Sequence, residues 1–202
     1  MASDRILIYG GAFDPPHKGH MAALKAAAIY VCPDKIYVVP SYVSPGGQKK
    51  EINPFYVRME MCRCFREISA DVTVSGLEKT KRRRRSFTLS TIKKIRRRFP
   101  DSKLFLLIGS DKLRSLYHWK GIVRILSMCE ILVVSRPGVS KKEEMSGLER
   151  VMKLGGKIVF LDAEMPEISS DDYRNGSKEN SSLPDSVVQY IKKNDLYGGA
   201  DK

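Results

Sequence analysis

The chain has 202 residues, 36 Lys and Arg against 23 Asp and Glu, a formal net charge of +13 and four cysteines. That length suits one α/β domain able to bury roughly 70–75% of the surface its unfolded form exposes; no run of about eighteen apolar residues marks a transmembrane span, and Met1 to Arg5 leave no room for a secretory leader before the first apolar stretch. Cys32, Cys62, Cys64 and Cys129 form no CxxC pair and stand among apolar or helical neighbours, which predicts buried free thiols and a reducing, cytoplasmic setting.

In chain order, the apolar run at 5–9 predicts a strand and the alanine-rich 19–31 a helix, followed by a strand at 35–39 and a flexible loop at 44–50. A helix over 54–68 follows, with Asn53 as its N-cap and Pro54 as its first helical residue. Further strands are predicted at 71–75, 103–108, 130–135 and 157–161, and helices at 88–98, 111–117 with 121–127, and 141–154. Leu104 to Ile108, an unbroken apolar run closed by Gly109, reads as a central strand buried on both faces. Short helices start near 169–170 and 184–193, with a polar loop at 175–182 between them. Strand and helix alternate throughout, so the expected fold is a doubly wound, Rossmann-like parallel sheet. It forms one domain, with a core over about 4–161 and a helical C-terminal segment over about 162–198.

The most specific stretch is Gly10-Gly11-Ala12-Phe13-Asp14-Pro15-Pro16-His17-Lys18-Gly19-His20, between the first strand and its helix. Adjacent glycines at a strand end let main-chain N–H groups approach a ligand without Cβ interference, and the prolines hold the next residues extended. His17 and His20 place two imidazoles at the positive end of the helix. These features favour a polyphosphate. The rival reading is a structural zinc pair, for which the one remaining histidine, His118, and the scattered cysteines supply no tetrahedral shell. A plain glycine turn is the other alternative.

This stretch resembles the HxGH signature of the nucleotidylyltransferase superfamily, and its longer GGxFDPxHxGH form is similar to that of the nicotinate-mononucleotide adenylyltransferases. Later segments extend the likeness in order along nearly the whole chain: Ser86-Phe87-Thr88, Ile108-Gly109-Ser110-Asp111, Trp119, Arg136-Pro137-Gly138, and Ile168-Ser169-Ser170 with Arg174. The resemblance implies adenylyl transfer from ATP to nicotinate mononucleotide, giving deamido-NAD and pyrophosphate, with Mg²⁺ accompanying ATP and no protein metal site. It implies His17 and His20 as catalytic phosphate donors. Gly10, Gly11, Phe13, Gly19, Gly109, Asp111, Ser169, Ser170 and Arg174 would serve the ATP half. Trp119 would stack on the nicotinate ring, and Ser86, Phe87, Thr88 and Lys120 would line that half, with Lys49 and Arg136 as further phosphate contacts. Two readings of Asp111 stand: a ribose or ligand-binding carboxylate, or a helix N-terminal charge favoured by the dipole. Ser169 and Ser170 likewise read either as phosphate ligands or as a plain helix cap.

The chain departs from the family pattern in four places. Phe87 stands for a tyrosine, Asp171 for a threonine beside the triphosphate, Asp172-Tyr173 for an apolar pair, and the loop at 44–50 lacks the PPHK element.

The +13 charge raises nucleic-acid binding as a rival function, concentrated in 79–85 and 93–98. Against specific nucleic-acid recognition, no aromatics interleave the basic run and no known recognition motif appears. Leu89, Ile92, Ile95 and Phe99 have helical spacing, so the charges of 93–98 are expected on the solvent face. A positive field attracting anionic small-molecule substrates accounts for the balance. No membrane partner is expected, and self-association is left open.

Overall fold

Alternation within the strands fixes the layers. In the computed structural model, which describes residues 3–43, 53–79 and 87–198, β1 (Arg5–Gly11) sends Leu7 and Tyr9 to one face and Ile6 and Ile8 to the other. β2 (Lys35–Pro40), β4 (Lys103–Gly109) and β5 (Cys129–Val134) divide their apolar residues the same way, as a period of two requires. With β3 (Val72–Val74) and β6 (Ile158–Leu161), they form one six-stranded parallel sheet among the described residues, ordered β3-β2-β1-β4-β5-β6. The order reverses between β1 and β4, which pair from Arg5↔Lys103 to Tyr9↔Leu107. In such sheets the ligand crevice opens there, beyond the carboxyl ends of the strands.

One face is covered by α1 (Lys18–Val31), through Ala23, Leu24, Ala27 and Val31, and by α2 (Phe55–Met61), through Val57 and Met61. The segment after β6 joins that layer: α7 (Ser170–Arg174) contributes Tyr173, and α8 (Asp185–Lys193) contributes Val187 and Ile191. The other face carries α3 (Thr88–Arg98), α4 (Ser110–Leu116), α5 (Ile122–Leu126) and α6 (Lys141–Met152). Among the described residues no helix is long and apolar enough to cross a membrane.

Several expectations change. The helix predicted over 54–68 is α2 followed by a 3₁₀ turn over Cys62–Glu67, and Asn53 does not cap it: Pro54 is the cap residue, without a side-chain hydrogen bond, because the Asn53 amide is used elsewhere. The polar loop at 175–182 contains a 3₁₀ turn at Asn180–Ser182. Cys62, Cys64 and Cys129 are buried thiols, but Cys32 is exposed, since it ends α1 in a left-handed conformation (φ 45°) that turns it outward. On α3, Ile92 and Ile95 are buried as expected, yet two of its cations leave the solvent face. Lys94 donates to Leu77 O, and Arg96 donates to the carbonyls of Pro100, Ser102 and Met128, tying α3 to neighbouring segments. The loop at 44–50, with Lys49, lies outside the described residues, as do Ser86 and all of the basic run except Lys79.

Candidate active site at the sheet switch point

Gly10 and Gly11 are not themselves the turn. They are the last residues of β1, paired with Val39 and Pro40, and the left-handed residue that turns the chain is Phe13 (φ 50°). Its ring folds back over Gly11, where a Cβ would meet Phe13 Cζ at 2.9 Å, so glycine is required there by the aromatic side chain. Phe13 is buried against Tyr9, Phe65 and His20, with ring centroids 5.3, 5.3 and 5.1 Å apart.

The turn delivers His17 to the N-cap of α1. His20 N donates to His17 Nδ1 (3.3 Å) and His17 N donates to His20 Nδ1 (3.2 Å), a reciprocal cap built from two imidazoles whose rings lie 3.7 Å apart. Because each Nδ1 accepts, the proton of each neutral ring sits on Nε2. Burial, reinforced by the Arg136 charge, lowers His17 to about 3; burial, then His17 and Arg136, holds His20 well below the usual imidazole range. Both are therefore neutral N–H donors at pH 7.

The two are not equivalent. His17 is 1% exposed and its Nε2 is buried without a hydrogen-bond partner among the described residues, whereas His20 is half-buried. Gly19 serves this packing, since a Cβ there would sit 3.0 Å from the His17 ring. Lys18 points to solvent.

Unfolded imidazoles titrate near 6.5, so between that pH and about 3 the unfolded chain binds more protons than the folded one, and stability rises with pH across this window. Urea unfolding should show stability complete above about pH 6.5 and reduced by a few kcal/mol as the pH falls toward 4. A flat profile between pH 7 and 5 would contradict the buried neutral pair.

Side chains from distant segments fasten the loop. The Asp14 carboxylate, 2% exposed, accepts from Asn53 N (3.2 Å), Asn53 Nδ2 (2.8 Å) and the Tyr197 hydroxyl (2.5 Å). Arg58, fully buried, donates to the carbonyls of Ala12 (2.7 Å), Ser41 (2.7 Å) and Asn53 (3.2 Å). Ser170 Oγ donates to Pro15 O (2.8 Å), and Arg174 donates to Asp14 O and to Asp171. Arg58 and Tyr197 carry no sequence signal of this role, Asp14 stands within the glycine- and histidine-bearing stretch with no role of its own assigned, and Asn53-Pro54 points to a cap.

The expected α7 residues thus have internal roles. Ser169 caps the helix, its Oγ accepting from Asp172 N (3.1 Å) while Asp172 accepts from Ser169 N (2.8 Å). Ser170 and Arg174 bind the loop, and Asp171 is paired with Arg174. A phosphate contact from the Ser170 hydroxyl requires exchanging its bond to Pro15 O, whereas Arg174 commits two of its five N–H groups to Asp14 O and Asp171.

Across the switch point, Gly109, Ser110, Asp111 and Arg136 come together. Arg136 N donates to Ser110 Oγ (2.9 Å), and its guanidinium lies 3.8 Å from Asp111 Oδ1. A Cβ on Gly109 would meet Asp111 Oδ1 at 2.5 Å and Arg136 Cδ at 3.0 Å. Asp111 also pairs with Lys112 (3.1 Å) in the first turn of α4, combining the dipole role with a salt bridge.

A second cluster forms where α3 begins. Lys120 Nζ lies 4.8 Å above the Phe87 ring, Thr88 is the first residue of α3, and half-buried Trp119 packs against the apolar cluster beneath α3. Gly121 (φ 72°) lets the α4–α5 connection close on Leu89, 2.4 Å from where its Cβ would stand.

Among the described residues no group of three His, Cys, Asp or Glu side chains could hold a metal, so the zinc reading of His17 and His20 finds no third ligand. Two surface hollows, of about 560 and 470 Å³, lie elsewhere, between α4 and α6 and between α1 and β6.

A cytidylyltransferase-like family model matches residues 8–176. A probable nicotinate-nucleotide adenylyltransferase of Clostridium botulinum (strain Loch Maree) is 32% identical over 196 residues, covering 94% of this chain and 97% of the relative. One from Bacillus licheniformis is 28% identical over 204 residues, covering 96% and 98%. Among solved structures, Plasmodium falciparum nicotinic acid mononucleotide adenylyltransferase complexed with NaAD superposes with a TM-score of 0.78 at 19% identity, over 98% of this chain and 100% of that one; this likeness concerns the fold.

Proposed function

Since the chain belongs to the cytidylyltransferase-like family and, by 32% identity over nearly its full length, to the nicotinate-nucleotide adenylyltransferases, we propose that it transfers the adenylyl group of ATP to nicotinate mononucleotide. The products are deamido-NAD and pyrophosphate, a step of NAD biosynthesis. The observation that carries this reading is the pair of neutral imidazoles capping α1 at the switch point, each with its proton on Nε2.

A mononucleotide phosphate oxygen attacks the α-phosphorus of ATP in line. The new P–O bond forms as the bond from the α-phosphorus to the bridging oxygen breaks, and pyrophosphate leaves with the electron pair. The attacking monoester has its second pKa near ~6, so it is mostly deprotonated at pH 7 and needs no general base. The protein's task is positioning, which can supply roughly 7–11 kcal/mol, and stabilisation of charge on the phosphoryl oxygens. Half-buried His20 is the donor to the α-phosphoryl group in the transition state; buried His17 orients it through the shared cap. Arg136 and the α1 N-terminus add positive potential. Mg²⁺ enters with ATP as part of the substrate, a hard cation held by phosphate oxygens and water.

For the pyridine half, Trp119 supplies a ring face. The Lys120 ammonium above Phe87 and the N-terminus of α3 at Thr88 set a positive field that suits a carboxylate. A hydrogen bond to a charged group contributes roughly 1.5–3 kcal/mol, so kcat/KM for nicotinate mononucleotide should exceed that for the amide by about ten- to a hundredfold. Pyrophosphate release from ATP over a panel of mononucleotides tests both points. Equal rates for acid and amide would remove the carboxylate assignment, and no release with either would overturn the function.

A further inference from the structure

Residues 14 and 15, at the centre of the loop that ends in His17, are the meeting point of three segments remote in sequence: Asn53, α7 with Ser170 and Arg174, and Tyr197. A buried carboxylate such as Asp14 requires donors, and Tyr197 reaches it across 183 residues of sequence. To do so the chain places two non-glycine residues, Asp195 (φ 47°) and Tyr197 (φ 62°), in the left-handed region. Such conformations persist only where surroundings enforce them, and they concentrate at functional sites. The Tyr197 ring stands edge-on to Tyr173 at 5.6 Å, and its hydroxyl lies 4.0 Å from Met61 Sδ. Burial and the neighbouring Asp14 charge push the phenol well above its usual range, so it stays a donor at working pH.

We infer that Tyr197 is a positioning residue for adenylyl transfer: through Asp14 it fixes the loop whose far end sets the orientation of the His17–His20 pair. This rests on the function proposed above. The substitution that isolates it is Tyr197→Phe, which keeps the ring between Tyr173 and Met61 and deletes one hydroxyl.

Tyr197→Phe should lower kcat tenfold or more while both KM values stay within about twofold and the melting temperature moves by only a few degrees. In an Asp14→Ala background the same substitution should have no further effect on kcat, as expected of residues acting through one contact. Imidazole NMR gives a readout free of turnover. Of the three histidines, the His17 and His20 signals should shift in Tyr197→Phe and that of His118, exposed beyond α4, should not. A kcat within twofold of wild type, a loss that follows melting temperature, or additive losses in the double variant would each overturn the inference. If the wild-type protein formed no deamido-NAD, the function would fall, and the imidazole shifts alone would decide for or against Tyr197.

Discussion

Replacing His20 with alanine should lower kcat by about 100- to 1,000-fold and leave the KM for ATP within about threefold, the effect of removing one preorganised donor from a developing oxyanion. The geometry explains why His20 rather than His17 carries this. Its Nδ1 is occupied by His17 N–H, which leaves Nε2–H as the ring's donor, and the ring is only half-buried. Its depressed pKa means that the donor is a neutral imidazole across the working range, so activity should not follow an imidazole titration near 6.5. The substitution also breaks half of a helix cap, worth about 1 kcal/mol, which should lower the melting temperature by a few degrees without touching kcat. His20→Asn, which restores a capping acceptor but lacks the reach, should recover stability and not rate. An unchanged kcat in His20→Ala would remove the residue from the mechanism, and a rise in KM alone would make it a ground-state contact.

Arg58→Met should destabilise the fold by about 3–5 kcal/mol, because it leaves three carbonyls without the guanidinium that serves them. For a chain of this size that is a melting point lower by roughly 6–20 °C. Methionine approximates the buried volume, so the loss measures the hydrogen bonds rather than a cavity. Arg58 joins the loop after β1, the segment after β2 and the start of α2, and its removal should free the ligand loop before the sheet opens. Native-state hydrogen exchange would then quicken around 12–17 ahead of β4. A loss under about 1 kcal/mol would show that the backbone, not Arg58, holds these segments.

Short-range interactions are legible in the sequence and long-range ones are not. The six strands were legible within a residue or two because each is a short run rich in apolar residues; the four central ones are buried on both faces, Leu104–Ile108 most completely, and the edge strands β3 and β6 are partly exposed. Helix faces such as Ile92 and Ile95 followed from spacing. Lys94 and Arg96 did not, since a long cation reads as solvent-facing until the carbonyls of Leu77, Ser102 and Met128 come within reach. Asn53-Pro54 looked like a cap for the same reason: the competing acceptor, Asp14, is 39 positions away.

By itself the sequence determined the period of each strand and helix, the glycine- and histidine-bearing turn between the first of them, and hence the chemistry class, because these depend on residues a few positions apart. Tertiary structure alone decided which imidazole stays accessible, that the first glycines end a strand while Phe13 makes the turn, and that Arg58, Asn53 and Tyr197 hold the loop. Those outcomes hang on single hydrogen bonds between segments up to 183 residues apart, and a buried polar group takes whatever partner the finished fold brings to it.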